Sequence, residues 1–383
     1  MSSFTFVDLF CGIGGFHHAL KSLGGHCVWA CDIDKHCQDN YETNFGIRPH
    51  SDIRTVPPES IPDHDLLCGG FPCQPFSTGG HRNAFEDTRG TLFQDVANIV
   101  RAKRPRAILL ENVKHILKIQ GGHVYRTIMA VFTDLGYNMT HVVLSPHTFG
   151  VPQKRERVYF IGLRNDIGIP CAPPAPTKVP VSILDRRAPA KYVISEDVNA
   201  VFNAWNEILP VIRTNQPSAP IITDYFKDTS DTSGMLKWKR DYITRNRALY
   251  QASPAIWDAW LTKHADLLAK RAVYRKLEWQ AGKIKEGDTV CKGHFIQVRQ
   301  SGLRVKPATT FPTLVAVVQT SIVGDQNRYL TPRECARLQS FPDTHQLHAT
   351  DKIAYKQLGN SVNVNVVQHV ADHLLKQSDL LQS

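Results

Sequence analysis

One cysteine, one glutamate and two arginines in this chain have the types and settings that covalent chemistry needs. Cys73 stands in Gly69-Gly70-Phe71-Pro72-Cys73-Gln74-Pro75-Phe76-Ser77. Pro72 and Pro75 fix φ on either side and hold Phe71 and Gln74 extended, so the direction of the thiol is set in advance. Glu111 closes the apolar run at 106–113, and Arg155 and Arg157 alternate with Glu156 at the start of a strand, where both project from one face. Each has an ordinary alternative when taken alone: an inert buried thiol in a tight turn, a helix cap that Asn112 can equally supply, a solvated charge pair.

Together the four suit addition to an electron-poor ring such as cytosine. C5 of that ring is a poor nucleophile, but thiolate attack at C6 converts the ring to an enamine whose C5 can take a methyl group from a sulfonium. Charge collects at N3 and O2 during the attack, so an acid at N3 and a guanidinium at O2 lower the barrier. Glu111 is the candidate for N3 and Arg157 for O2. A carboxyl serving N3 must hold a proton at that moment, which burial favours by raising its pKa. Loss of the C5 proton then expels the thiolate by β-elimination; the base that accepts this proton is not assigned.

Such groups need elements that aim them. Residues 4–10 are β-prone and end on Cys11-Gly12-Ile13-Gly14-Gly15, after which Phe16, Ala19, Leu20 and Leu23 have helical spacing. A second strand at 26–33 reaches Asp32, and 65–70 is a third that runs straight into the cysteine stretch. Residues 91–105 form an amphipathic helix with Leu92, Val96, Ile99 and Val100 on one face. The Glu111 strand, a helix over 125–135 and strands at 141–145 and 157–163 follow. The alternation predicts a parallel, doubly wound α/β sheet with Cys73 and Glu111 at the carboxyl edge, where such sheets bind ligands.

The proline-rich stretch at 169–180 marks the exit from this core, and aromatic and basic residues then mix irregularly up to 325. Regularity returns at 331 with a helix opened by Thr331 and Pro332, and a long closing helix follows a loop at Leu358-Gly359-Asn360. The organisation expected is a core over 1–165, an insert over 166–325 and a segment over 326–383 that returns to the core. The tryptophans at 238, 257, 260 and 279 are read as packing residues.

The first strand, turn and helix aim backbone N–H groups at a ligand, with Gly12 and Gly14 permitting close approach. The turn is not a dinucleotide fingerprint, because His17 stands where G-x-G-x-x-G has its third glycine. Asp32, about twenty residues beyond the first glycine, is placed to accept from both hydroxyls of a ribose. Asp52 can accept from an adenine amino group and Ile53 can wall it, with a helix cap as the alternative for Asp52. An adenosine without pyrophosphate fits these parts, and S-adenosyl-L-methionine is the common cofactor of that description.

The chain has 383 residues and a formal net charge of +10 with only 21% of residues charged. This favours a polyanionic partner, although a basic enzyme with no nucleic-acid role has the same balance. Nine cysteines without a CxxC pair, and no N-terminal apolar run resembling a signal peptide or membrane span, point to a reducing cytoplasmic setting. His26, Cys27, Cys31, His36 and Cys37 lie close in sequence, but strand alternation throws Cys27 and Cys31 among apolar residues, so no metal is expected.

Six stretches in order resemble the DNA (cytosine-5) methyltransferases of bacterial restriction-modification type. They are residues 6–20, 69–77, 111–113, 153–162, 333–343 and 355–366, and the resemblance covers about 4–165 and 327–376. It implies a Rossmann-like, S-adenosylmethionine-dependent methyltransferase fold with a mixed sheet core and a smaller inserted target-recognition domain at the variable position. It implies Cys73 as nucleophile, Glu111 as the N3 partner and Arg155 and Arg157 as active-site supports. Phe10, Ile13, Asp32, Ile33, Asp52, Ile53, Leu92 and Asn360 then line the cofactor pocket.

The family's mobile loop falls at 77–90, where Ser77, Arg82 and Arg89 would meet DNA around a base rotated out of the helix. Arg299 and Arg304 are candidates for phosphate or guanine contacts, and Thr313-Leu314 resembles a pair found near the recognition loops. The partners implied are double-stranded DNA and a separately acting restriction endonuclease, with a monomeric protein and no membrane. A related branch with the same core modifies tRNA, but its Cys-Phe-Thr signature is absent and the insert here is long. A silent DNA-binding module would need neither Cys73 nor Glu111.

Overall fold

A computed structural model of the chain describes residues 3–72, 91–216, 219–316 and 319–380. The chain divides into two units, the first built from Met1–Ile183, Thr313–Val318 and Pro332–Ser383, the second from Leu184–Pro312 and Gln319–Thr331. The first unit therefore continues past 165, because the proline-rich stretch stays attached to it: Val179 N–H donates to Phe149 O at 3.3 Å and Cys171 N–H to Gln377 Oε1 at 2.8 Å.

In the first unit β1 (Phe4–Leu9), β2 (Gly25–Cys31), β3 (Leu66–Gly70), β4 (Ala107–Val113), β5 (Tyr137–Leu144) and β6 (Arg157–Arg164) form one sheet in the order β2-β1-β3-β4-β6-β5. The first four strands are parallel. β6 is antiparallel to both β4 and β5, so the sheet is mixed and not parallel throughout as the alternation suggests. The reason is local: only a short 3-10 turn, Pro146–Phe149, separates β5 from β6, and adjacent strands joined without a crossover helix must reverse direction. The fold is a Rossmann-like α/β arrangement with a mixed sheet, accompanied by a smaller second unit.

Helices α1 (Gly15–Ser22), α2 (Lys35–Phe45), α3 (Leu92–Lys103) and α4 (His123–Asp134) complete this part. Asp34 caps α2 by accepting from His36 N–H, and Thr91 caps α3 by accepting from Gln94 N–H. Val7, Leu9, Leu67, Ile108 and Leu110 from the central strands pack with Phe93, Val96 and Val100 of α3 and Val131 of α4.

Strand alternation turns Asp8 to the face opposite Val7 and Leu9, where it is fully buried and accepts from Tyr41 Oη at 3.3 Å. Burial raises its pKa to about 8, against the hydrogen bond from Tyr41 and with help from the charge on Asp32. The folded protein thus keeps a proton that the unfolded chain releases near pH 4, and this contribution to stability is lost as pH rises toward 8. Asp8→Asn is expected to flatten the loss of thermal midpoint between pH 5 and pH 8; equal losses in wild type and variant would refute the assignment.

In the second unit α5 (Glu196–Thr214), α6 (Lys237–Gln251), α7 (Pro254–Lys263) and α8 (Ala265–Ala269) accompany a six-stranded sheet. Its strands β7 (Ile221–Ile222), β8 (Lys276–Trp279), β9 (His294–Arg299), β10 (Gly302–Pro307), β11 (Ile322–Val323) and β12 (Arg328–Tyr329) lie in the order β12-β11-β9-β10-β8-β7. Trp205, Trp257 and Trp260 meet in its core, with ring centroids of Trp205 and Trp260 4.9 Å apart. Trp279 packs against that core in part, but Trp238 is 57% exposed. It stands in the first turn of α6, before the inward face of Ile243, Asn246, Leu249 and Tyr250 begins.

The closing segment supplies α9 (Pro332–Leu338), α10 (Asp351–Asn360) and α11 (Val364–Gln377). Leu358-Gly359-Asn360 is the last turn of α10 and not a loop. Gly359 is required there by close approach, since a Cβ would lie 2.3 Å from Val315 O. Among the described residues no helix is long and apolar enough to cross a membrane.

Candidate active site

A cleft of about 670 Å³ opens at the carboxyl edge of the first sheet. Its cofactor end is built from the turn after β1, the residues after β2 and the short turn Ile53–Thr55. Phe10, Gly12, Asp32, Ile33, Asp52, Ile53, Leu92 and Asn360 line it. Ile13 and Gly14 do not: Ile13 is buried, and Gly14, at φ 83°, leaves the space that the Phe45 ring occupies.

Asp32 Oδ2 accepts from Gly12 N–H at 2.8 Å and Oδ1 from Asp34 N–H at 2.9 Å. One acceptor direction on each oxygen is used, and each keeps capacity for a ribose hydroxyl. Burial raises the pKa of Asp32, while these two backbone donors pull it down. Asp52 is both a cap, accepting from Arg54 N–H at 3.0 Å, and the partner of the Arg54 guanidinium, whose Nη2 is 2.6 Å from Oδ2. Arg54 itself lines the cleft. The sequence pattern does not single it out, although its position two residues after Asp52 is a local signal.

The other end of the cleft holds Glu111, Arg155 and Arg157. Because β6 runs antiparallel, its first residues lie beside the carboxyl end of β4, with Arg157 opposite Val113. Arg157 Nε is 2.9 Å from Glu111 Oε1, both side chains being less than one-fifth exposed. Burial raises the Glu111 pKa, with the charges of Arg157 and then Arg155 opposing. Glu156 faces away and pairs with Lys114 at 2.8 Å. Asn112, not expected in the site, donates from Nδ2 to Phe71 O at 2.9 Å and so fixes the backbone two residues before Cys73. Nothing local in the sequence signals that contact.

Arg155 is a buried clasp. Nη1 donates to Leu314 O at 2.7 Å, and Nη2 donates to Gly359 O at 3.0 Å and Ser361 O at 2.9 Å. Burial and then Arg157 lower its pKa to about 9, so it remains charged at neutral pH. Arg155→Ala leaves three carbonyls without their donor and is expected to cost about 3 kcal/mol, read as a lower urea midpoint at unchanged slope.

Cys73, Ser77, Arg82 and Arg89 lie outside the described residues. Thr313 donates its hydroxyl to Lys154 O at 2.6 Å within the first unit. In the second unit, Arg304 is held by Glu278 of the neighbouring strand, Nε to Oε2 at 2.8 Å and Nη2 to Oε1 at 3.1 Å, and Arg299 ends β9 close to both. The five residues weighed for a metal do not converge: Cys31 and Cys37 face the cleft, whereas Cys27 packs against Tyr41 Oη at 3.6 Å. Among the described residues no group of three or more His, Cys, Asp or Glu could hold a metal ion.

A sheet in this order with an adenosine-sized cleft at its carboxyl edge is a methyltransferase architecture, and solved structures share it. A putative DNA modification methyltransferase encoded within a prophage of E. coli superposes with a TM-score of 0.59 at 20% identity, over 98% of this chain and 99% of that one. The S. pombe Dnmt2 methyltransferase gives 0.54 at 20% identity, over 97% and 98%.

The C-5 cytosine-specific DNA methylase family model matches residues 4–376, and the chain belongs to that family of DNA-binding methyltransferases. It is 32% identical to the Type II methyltransferase M.HhaI of Haemophilus parahaemolyticus, over 97% of this chain and 94% of the relative. It is 40% identical to the Type II methyltransferase M.HaeII of Haemophilus aegyptius, over 99% and 95%.

Proposed function

We propose that this protein transfers a methyl group from S-adenosyl-L-methionine to C5 of a cytosine rotated out of duplex DNA, through a covalent adduct of Cys73 at C6. The observation that carries the reading is the Glu111–Arg157 pair, 2.9 Å apart in the cleft that also contains Asp32 and the turn after β1. The cofactor supplies an electrophilic methyl group. Asp32 holds its ribose, Asp52 and Ile53 its adenine, and Phe10, Leu92 and Asn360 its remaining faces. Cys73 attacks C6, Glu111 serves N3, Arg157 serves O2, and Arg155 supports the site from behind. Ser77, Arg82, Arg89 and Thr313 are assigned to DNA, and the second unit selects the sequence methylated. The product then protects that sequence from a restriction endonuclease acting separately, and the protein works as a monomer in the cytoplasm.

The test is transfer of labelled methyl groups from S-adenosylmethionine by the pure protein. Duplex DNA is expected to take the label at C5 of cytosine in one sequence context, located by bisulfite sequencing. Stronger labelling of tRNA than of DNA would overturn the reading.

A further inference from the structure

The second unit contains 22 Lys and Arg against 14 Asp and Glu, and so carries most of the +10 net charge of the chain. Many of these cations are engaged. Arg304 is paired with Glu278, Arg275 with Asp224, Lys263 with Glu207 and Lys270 with Asp197. The start of α6 differs in its balance of charge, although Arg240 Nη1 donates to Ser233 O at 3.1 Å. Between Leu236 and Arg240 there are three cations and no acid, and Asp241 is the only acidic residue in the helix.

This start is also unusually apolar for a surface. Leu236 is 70% exposed and Trp238 57%, and the Trp238 ring rests edge-on against Tyr242 with centroids 5.7 Å apart. Leu236, at the N-cap, gives no side-chain hydrogen bond to the first turn, which leaves the positive end of a 15-residue helix beside the three cations. Lys237 pairs with Asp241, but in an exposed i,i+4 arrangement that a phosphate can displace.

We propose that the exposed start of α6, Leu236 to Arg240, is a docking surface for duplex DNA outside the catalytic cleft. Lys237, Lys239 and Arg240 meet phosphates, and Leu236 and Trp238 lie against the sugar and base edges between them. The assignment rests on the duplex substrate proposed above. It moves the main phosphate-binding role of the second unit from Arg304, already neutralised by Glu278, to the helix.

The test is the salt dependence of duplex affinity for the full-length chain, wild type against the combined Lys237→Ala, Lys239→Ala and Arg240→Ala variant. Each phosphate deprived of its cation is expected to reduce the slope of log K against log salt concentration by about 0.9, a total of roughly 2–3 for the triple variant. Trp238→Ala is expected to weaken binding several-fold with little change in slope. Cofactor binding, measured separately, is expected to remain at the wild-type value and shows that the variants fold. If the triple variant no longer binds cofactor, Lys239→Ala alone carries the measurement, with an expected fall of about 0.9. Slopes equal to wild type would overturn the surface while leaving methyl transfer to DNA untouched. A wild-type protein that binds no duplex at any salt concentration would remove the substrate reading itself, and the surface with it.

Discussion

Cys73→Ala is expected to bind cofactor normally and to lose methyl transfer to duplex DNA by roughly 10⁴-fold or more, the scale on which enzymes lose rate with their nucleophile. Without addition at C6, C5 of cytosine has too little electron density to take the methyl group and displace the thioether from the sulfonium. The other thiols of the cleft cannot substitute. Burial pushes Cys31 up to about 12 and raises Cys11 and Cys37 as well, so all three stay protonated where a thiolate is required. The check is incorporation of labelled methyl groups. A duplex with fluorine at C5 of the target adds a second readout, because it has no proton there to lose. Wild-type protein is expected to remain covalently attached to it, and the variant to dissociate on denaturation. Activity retained in Cys73→Ala would exclude the mechanism.

Glu111→Gln is expected to reduce the rate about 10²- to 10³-fold, the usual contribution of a positioned general acid. The amide can still donate a hydrogen bond to N3 but cannot deliver a proton. The pKa direction sets the pH dependence. Burial raises the carboxyl above its ordinary value, so it keeps its proton to higher pH than an exposed glutamate. As pH rises through that raised value the proton is lost, and kcat/KM is expected to fall on the alkaline side. The glutamine variant is expected to lack this limb. An unchanged profile in Glu111→Gln would give the limb to another group.

What can be read from the sequence follows how local each cause is. The turn after β1 rests on adjacent glycines and the end of β4 on one unbroken apolar run, whereas Arg155 lies before β6 and is held by distant carbonyls, not by strand alternation. The first two therefore stand where the residue pattern places them. The direction of β6 depends on which strand it joins and through what connection, and the alternation of segments carries no record of that. Arg304 has the look of a cation for DNA because Glu278 is distant in sequence and becomes its neighbour only through the pairing of β10 with β8. Trp238 has the residue type of a core side chain, whereas the register of α6 leaves its first turn outside. Asn112 cannot be found at all, since its partner is a backbone carbonyl 41 residues away.

The Arg155 clasp has a consequence for biosynthesis. Its carbonyl partners at 314, 359 and 361 are 159, 204 and 206 residues further along the chain. While those stretches are still inside the ribosome, a nascent polypeptide has β1 to β6 but lacks the wall formed by Gln357 to Val362. The guanidinium must wait, solvated, for partners made 159 to 206 residues later. Released fragments ending before residue 357 are therefore born without a complete cleft, which closes only once residues 357 to 362 have been made.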